Sequence, residues 1–116
     1  LQENEMIASL KTSIWVAALL RRASVAGAYG ALTRKGDLDA GAVLVKVSSL
    51  DGQAMLYLPA RNMDGERIWL PKGPLPEREI DGIITKRAET DPDLWAVEIE
   101  DKSGRHFLTE PVEDSQ

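Results

Sequence analysis

Cysteine is absent from the 116-residue sequence, and histidine occurs once, as His106. The lack of cysteine excludes disulfide bonds, thiolate metal sites and a cysteine nucleophile. A single histidine excludes a metal centre built on several imidazoles, and we predict neither a metal nor a cofactor. The longest apolar run, Ile14 to Leu20, spans seven residues. A membrane-spanning helix needs about 20, so we expect no membrane segment.

Aromatic residues and positive charge are also scarce. Aromatic side chains make up 5% of the chain, and 19 acidic residues outnumber 14 lysines and arginines. The acidic excess lies in the second half of the sequence, from residue 61 onward. A net charge of −5 repels the phosphates of nucleic acids. Composition therefore disfavours a nucleic-acid-binding function.

The length and the 43% of apolar residues fit one domain with its own core. We assign that domain to residues 10–110. Residues 1–9 are expected to be disordered or non-native, since the sequence does not begin with methionine. Residues 111–116 are polar and acidic, which predicts a loose tail. Glu3 and Glu5 stand where a secretory signal needs cations, so we expect a cytoplasmic protein.

Two segments show helix signals. The alanine- and leucine-rich run from Ile14 to Ala26 predicts a first helix, which Gly27 ends. Pro76 is typical of the first turn of a second helix, and Asp91-Pro92 marks its end. Gly82 lies inside this second helix, where it is costly, and therefore suggests close packing at that point.

Short apolar or alternating runs between turn signals predict six short strands, over residues 28–33, 42–48, 53–58, 66–70, 94–100 and 105–109, with β-branched residues prominent in 42–48. With the helices, the order is α-β-β-β-β-α-β-β. This order indicates an α+β fold with two helices and a mainly antiparallel sheet of about five to six strands. The strands over 42–48 and 53–58 are apolar on both faces. Either the two helices cover opposite faces, or one face is a partner surface. The Pro71–Pro76 segment is interpreted as a rigid connector, with recognition by a proline-binding domain as the alternative.

Motifs for a nucleophile, a phosphate loop or a dinucleotide site are lacking, and we assign no catalytic residue. His106 is interpreted as a half-exposed strand residue rather than a general base. A candidate anion patch is formed by basic side chains in the first half of the chain, because arginine offers forked donors to phosphate or carboxylate. The alternative is an ordinary solvated surface. The patch comprises Arg21, Arg22, Arg34 and Lys46.

Tyr57 and Trp69 are candidates for an interface or a pocket. Trp69 alternates with Ile68 and Leu70, so it lies on the other face of its strand, together with Arg67. A tryptophan on the less apolar face is typical of a binding surface. The alternative is simple packing beneath the proline-rich segment.

Several stretches together resemble a known family. They are residues 11–16 (KTSIWV), 19–23 (LLRRA), 36–37 (GD) and 40–47 (AGAVLVKV). The sequence is similar here to a short bacterial family of the alphaproteobacteria, domain-of-unknown-function family fourteen-ninety-one, and the likeness extends over nearly the whole chain after residue 9. The resemblance implies a small cytoplasmic bacterial protein. It implies no activity and no catalytic residues, and its inclusion of Arg21-Arg22 favours the anion patch.

These observations predict a non-enzymatic module that binds a protein partner or associates with itself, for example as a homodimer. The contact would be an uncovered apolar face or an unpaired strand edge of the sheet. The alternative is a protein that binds a small anionic ligand, or an enzyme of unknown reaction, at the basic patch.

Overall fold

A computed structural model describes residues 11–113 of the chain, and the predicted N-terminal segment 1–9 lies outside the described residues. The described part forms two helices and one five-stranded sheet. Its elements are α1 (Thr12–Val25), β1 (Tyr29–Arg34), β2 (Val43–Ser48), β3 (Gln53–Arg61), β4 (Arg67–Pro76), α2 (Glu77–Thr90) and β5 (Trp95–Glu100). The predicted α+β class and mainly antiparallel sheet are confirmed. Of the residues described, neither helix is long and apolar enough to cross a membrane.

The strands lie in the order β1-β5-β2-β3-β4. Neighbouring strands are antiparallel except β5 and β2, which are parallel. The last strand in the sequence is thus inserted between the first two. α2 makes this arrangement possible, because it carries the chain from the edge strand β4 back to the middle of the sheet.

The two helices cover opposite faces of the sheet, which is the first of the two predicted alternatives. α1 contributes Val16 and Leu19 to a core with the valines of β2 and with Trp95, Val97 and Ile99 of β5. α2 contributes Ile80 to a second core. The other buried members of that core are Leu44, Ala54, Leu56 and Leu94. All six residues of β2 are buried, so its apolar pattern on both faces has a direct structural cause.

One predicted boundary of each helix, the end of α1 and the start of α2, is confirmed. α1 is followed by Gly27 with a φ of +89°, a conformation that favours glycine, and the N–H of Ala28 donates to the carbonyl of Ala23. α2 begins directly after Pro76. The predicted close packing at Gly82 is wrong, because a Cβ there would meet no heavy atom within 4 Å.

The proline-rich segment is part of β4 rather than a connector. Gln53 and Pro76 are the terminal partners in the β3–β4 register. β4 is an edge strand, so prolines whose nitrogens lack a proton cost no hydrogen bond on its outer side. A register shift between Ala54 and Leu56 accommodates the irregular backbone.

The predicted strand over 105–109 does not form. Local hydrogen bonds replace a ladder here: the N–H of Leu108 donates to Nδ1 of His106, and Arg22 donates to the carbonyl of Phe107. Phe107 also has a φ of +60°, which a strand does not allow. Farther on, the predicted loose tail is bound where it is described, because Trp69 exchanges backbone hydrogen bonds with Pro111 and Glu113. Residues 101–113 therefore form an irregular strap on the α1 side of the sheet.

Candidate functional site

The four cations of the predicted anion patch do not meet at one place, because Arg34 and Lys46 line one pocket whereas Arg21 and Arg22 lie on α1. Arg21 is exposed on α1, and Arg22 donates two hydrogen bonds of 3.1 and 2.9 Å to the carbonyl of Phe107. Arg34 donates to the carbonyl of Leu94. Both Arg22 and Arg34 thus hold backbone segments in place. Arg21 and Arg22 belong to the helix on one side of the sheet, whereas Lys46 faces α2 on the other, so the structure does not assemble these side chains into one patch.

Lys46 is 4% exposed and is already neutralised by three carboxylates. Its Nζ lies 2.8 Å from Asp81, 3.0 Å from Glu77 and 3.6 Å from Glu98. Burial alone would lower the pKa of Lys46, but the hydrogen bonds from Asp81 and Glu77 and the charge of Glu98 outweigh it and raise the pKa. The lysine therefore joins α2 to β2 and β5, and the surrounding carboxylates repel an external anion.

Trp69 lies on the α1 side of the sheet, as its alternation with Ile68 predicts. It is buried and stacks on Trp15 of α1, with ring centroids 5.5 Å apart and an interplanar angle of 27°. The indole N–H groups of the two rings donate to separate oxygens of the Glu110 carboxylate, each at 3.0 Å. Tyr57 lies elsewhere on this side, buried against the edge of the His106 ring at a centroid distance of 5.0 Å.

The tryptophan pair borders a cleft of about 500 Å³. We call it the tryptophan cleft and define it by Thr12, Trp15, Arg61, Arg67, Trp69 and Glu110, which line it together with residues 39–43. Its floor is aromatic, and its polar groups come from the hairpin of β3 and β4, from the strap, from α1 and from the segment before β2. A concave, partly apolar site with a few polar groups is the usual form of a binding pocket.

Two arginines border this cleft, and no carboxylate of the described residues forms an ion pair with either. Arg61 and Arg67 are directly opposite each other in the β3–β4 ladder. Arg61 donates to the carbonyl of Gly65 at 2.8 Å. Among residues 11–113, neither guanidinium lies within 4.0 Å of a carboxylate oxygen. Like charges at opposed positions of a ladder repel, so an anion between them is favoured.

Arg67 also influences the strap. Burial opposes ionisation of Glu110, but the hydrogen bonds from Trp69 and Trp15, with help from the charge of Arg67, hold its pKa below the ordinary value. Glu110 is therefore the ionised acceptor of both indole N–H groups. Its two oxygens are engaged within the protein.

The cleft lies at the end of the sheet where β2 and β3 stop pairing. The β2–β3 register ends at Val45 and Tyr57, whereas β3 and β4 remain paired as far as Arg61 and Arg67. Two residues beyond Tyr57, Pro59 has no N–H to donate to β2. The hairpin therefore continues past β2, and its free side faces the segment that precedes β2.

That segment forms the opposite wall of the cleft, and hydrogen bonds join it to α1 and β5. Thr12 donates its hydroxyl to the carbonyl of Gly41 at 3.0 Å, and the indole of Trp95 donates to the carbonyl of Asp37 at 2.7 Å. Gly36 and Gly41 press against the chain before β5, since a Cβ on either would lie 2.0 or 2.1 Å from the carbonyl oxygen of Asp93. Glycine is required at both positions for steric reasons.

Sequence reasoning missed the role of Arg61. The sequence predicts a strand that ends at residue 58, which leaves out Arg61 and its pairing with Arg67. One signal was available: the two arginines flank the Asp64-Gly65 turn, and a hairpin around such a turn places its flanking residues opposite each other.

The cleft contains no evident catalytic set. Thr12 has its hydroxyl proton committed to a carbonyl, and Asp39 lies 3.7 Å from the ammonium of Lys11. His106 lies outside the cleft lining, beside Tyr57. Among residues 11–113, no group of three or more histidine, aspartate or glutamate side chains is arranged to hold a metal ion.

Comparison with known proteins agrees with the sequence resemblance. The family model described as "Protein of unknown function (DUF1491)" matches residues 10–109. A crystal structure of a DUF1491 family protein from Caulobacter crescentus is 54% identical, with a TM-score of 0.84 over 90% of this chain and 99% of that one. An NMR structure of a family protein from the same bacterium is 52% identical, with a TM-score of 0.80 over 90% and 97% of the two chains. No curated protein matches the chain.

A more distant structure extends the comparison to a second bacterium. The solution structure of a protein from A. tumefaciens is 32% identical, with a TM-score of 0.76 over 93% of this chain and 98% of that one. The family match and the extent of these similarities lead to one conclusion: the chain belongs to the DUF1491 family, whose function is unknown.

Proposed function

We propose that this protein is a non-enzymatic interaction module and that a segment of a protein partner binds in the tryptophan cleft. The observation that carries this proposal is the pair Arg61 and Arg67, which borders an aromatic-floored cleft without a described carboxylate partner. Unpaired guanidiniums beside partly exposed aromatic surface are the residue types that dominate protein interfaces.

Binding fits the cleft better than catalysis does. The groups there that could transfer a proton already have partners: Thr12 a backbone carbonyl, Glu110 two indoles, and Asp39 the ammonium of Lys11 at 3.7 Å. General acid–base catalysis needs such a group within reach of the substrate and free to exchange its proton. The guanidiniums of Arg61 and Arg67, by contrast, have N–H groups available to donate to a ligand.

The cleft also replaces the sheet face that the sequence suggested as a contact. Both faces of the central strands are covered by a helix, so neither offers an apolar surface. The outer edge of β4 is partly covered as well, because Pro111 and Glu113 pair with Trp69. The interaction hypothesis is thereby transferred from the sheet to the cleft.

A blocked cleft tests the proposal. Ala40 is exposed and lines the cleft, so Ala40→Trp fills it without altering a charge. Ala17→Trp, at an exposed position of α1 outside the cleft lining, is the matched control. We would immobilise each variant, pass a Caulobacter crescentus lysate over it and quantify the bound proteins by mass spectrometry. The proposal expects a protein bound by wild type and control and depleted about tenfold by Ala40→Trp, a loss typical of a blocked hot spot. Equal capture by all three, or recovery of the bait alone, contradicts it.

A small anionic ligand is the second candidate. The cleft volume of about 500 Å³ favours it, since small-molecule sites commonly measure about 300 to 1,000 Å³. Native mass spectrometry of the protein purified without denaturation tests this candidate. A bound mass that is lost with Ala40→Trp and kept with Ala17→Trp supports it.

Self-association is a further form of the interaction hypothesis, and the edge strand β1 is where we place it. Tyr29 and Leu32 of β1 are 63% and 41% exposed, and an exposed strand edge is a template for pairing. Sedimentation velocity over a range of concentrations tests it, with Leu32→Lys as the disrupting variant. We place all these interactions in the cytoplasm, which fractionation of cells expressing the tagged protein would check.

A further inference from the structure

We propose that the occupant of the tryptophan cleft is an extended acidic peptide segment, which adds its backbone to the free side of β3 and its carboxylates to Arg61 and Arg67. This inference rests on the proposed function and specifies the chemistry of the partner. It follows from three properties of the cleft: the direction of the free backbone groups, the placement of the arginines and the course of the strap.

The backbone of Arg61 faces the cleft. At one end of β3, the carbonyl of Gln53 accepts from the N–H of Ser49, so Gln53 faces β2. Backbone groups of alternate residues in a strand point the same way, so Arg61 faces that side too. The hydrogen bond from Asn62 to the carbonyl of Glu66 agrees, because it places the next residue on the β4 side.

Within residues 11–113, no strand meets Arg61 on that side. If the β2–β3 register continued, Arg61 would pair with Gly41. The N–H of Gly41 instead donates to the carbonyl of Asp37, and its carbonyl accepts from the hydroxyl of Thr12. An extended peptide supplies the donor and acceptor that this part of β3 lacks, which is the mode of strand addition.

The arginines select acidic side chains. Arg61 and Arg67 form a ladder pair without direct backbone hydrogen bonds, since the flanking pair Asn62–Glu66 is bonded, and in such pairs the side chains lie closer together. A carboxylate binds guanidinium in a bidentate manner and relieves their mutual repulsion. Asp64 and Glu66 of the turn do not line the cleft, and the two carboxylates that do have partners: Asp39 lies 3.7 Å from the ammonium of Lys11, and Glu110 accepts from both indoles. The net charge of −5 opposes this binding weakly, because salt screens distant charges beyond about 8 to 10 Å.

The described end of the chain runs away from the arginines. Val112 pairs in parallel with Trp69, so the strap follows the direction of β4. β4 runs from Arg67 towards Pro76. Residues 111–113 of the strap therefore lead away from Arg67, and we place the carboxylate on another molecule.

Fluorescence polarisation with synthetic peptides tests the inference. The probe is a short labelled peptide with one leucine and two glutamates at alternate positions of a threonine-rich extended sequence. Its counterparts carry glutamines for the glutamates, or N-methyl groups on alternate backbone nitrogens. We expect the acidic peptide to bind about tenfold more tightly than either counterpart, with an advantage that shrinks between about 50 and about 300 mM salt. Equal affinity for the glutamine peptide overturns the role of charge, and equal affinity for the methylated peptide overturns strand addition.

A pair of double variants locates the binding. Arg61→Gln with Arg67→Gln removes both guanidiniums of the cleft, whereas Arg78→Gln with Lys86→Gln removes two exposed charges of α2. Only the first is expected to abolish the preference for the acidic peptide, while near-identical circular dichroism shows that both variants fold. Retention of the preference in the first variant overturns the inference. So does displacement of the peptide by an equal concentration of succinate or inorganic phosphate, which assigns the cleft to a small anion.

The two proposals fail separately. Lysate capture that depends on an open cleft, combined with indifference to the charge of the peptide, leaves the interaction module in place and removes the acidic segment. If lysate capture does not depend on an open cleft and the acidic peptide is not preferred, the cleft is not a binding site.

Discussion

Trp15 and Trp69 stack with their centroids 5.5 Å apart, and both indoles donate to the carboxylate of Glu110. The three residues come from α1, from β4 and from the strap, so this contact joins parts of the chain that are far apart in sequence. Trp15 and Glu110 are separated by 95 positions. The shape of the tryptophan cleft depends on this junction, because all three side chains line it.

Glu110→Gln is expected to destabilise the protein by about 1 to 3 kcal/mol, since an amide offers one acceptor where the carboxylate offers two, and one half-buried indole N–H loses its partner. Urea unfolding, followed by tryptophan fluorescence, measures this loss. Glu113→Gln is the control, because Glu113 is exposed and its structural hydrogen bond is made by the backbone. Equal unfolding midpoints for the two variants would contradict a stabilising role for the hydrogen bonds between Glu110 and the two indoles.

Alanine substitution at two glycines is expected to change the stability in opposite directions. Gly41→Ala places a Cβ 2.1 Å from the carbonyl oxygen of Asp93 and 2.7 Å from Trp95, and such overpacking costs about 1 to 3 kcal/mol. Gly82→Ala meets no atom within 4 Å and lies inside α2, where alanine is favoured by about 0.5 to 1 kcal/mol. Chemical denaturation of both variants checks the pair. A Gly41→Ala protein as stable as wild type is the result that contradicts the packed wall of the cleft.

Lys46→Met is expected to lower the free energy of unfolding by about 1 to 3 kcal/mol. Removing the buried partner of an ion pair typically costs about 3 to 5 kcal/mol, but here the side chains of Glu77, Asp81 and Glu98 remain 25 to 56% exposed and are partly hydrated. Thermal and urea unfolding measure the effect. Lys72→Met, at an exposed position of β4, is the matched control and should be nearly neutral. If Lys46→Met leaves the free energy of unfolding unchanged, the ion pairs of Lys46 do not stabilise the packing of α2 on the sheet.

His106 is expected to titrate below its ordinary pKa of 6.5, because burial disfavours the imidazolium. Its Nδ1 accepts the N–H of Leu108 at 2.9 Å, which requires that nitrogen to be unprotonated. A lowered folded-state pKa means that the stabilisation is present above pH 6.5 and is lost as the pH falls through the folded-state value. Since His106 is the sole histidine, its imidazole NMR signals report this directly. A midpoint at or above 6.5 contradicts the expectation, and His106→Gln should remove the pH dependence of stability in this range.

Local patterns were reliable where neighbours in sequence decide the structure. The alanine- and leucine-rich run and Gly27 predicted α1, and Pro76 and Asp91-Pro92 bounded α2. Alternation of Trp95, Val97 and Ile99 predicted β5 with inward-facing apolar residues. The same reasoning failed at residues 105–109, where Arg22 and His106 supply hydrogen bonds that a strand would otherwise need.

The sequence by itself determined the class of fold, the approximate positions of the two helices and five strands, and the apolar character of β2 on both faces. These follow from backbone preferences and apolar periodicity, which act over a few residues. Tertiary structure alone decided the insertion of β5 between β1 and β2, the neutralisation of Lys46 and the junction of Trp15 with Trp69 and Glu110. Each depends on groups that meet only after the chain has folded, and their contact energies are not encoded in any local pattern.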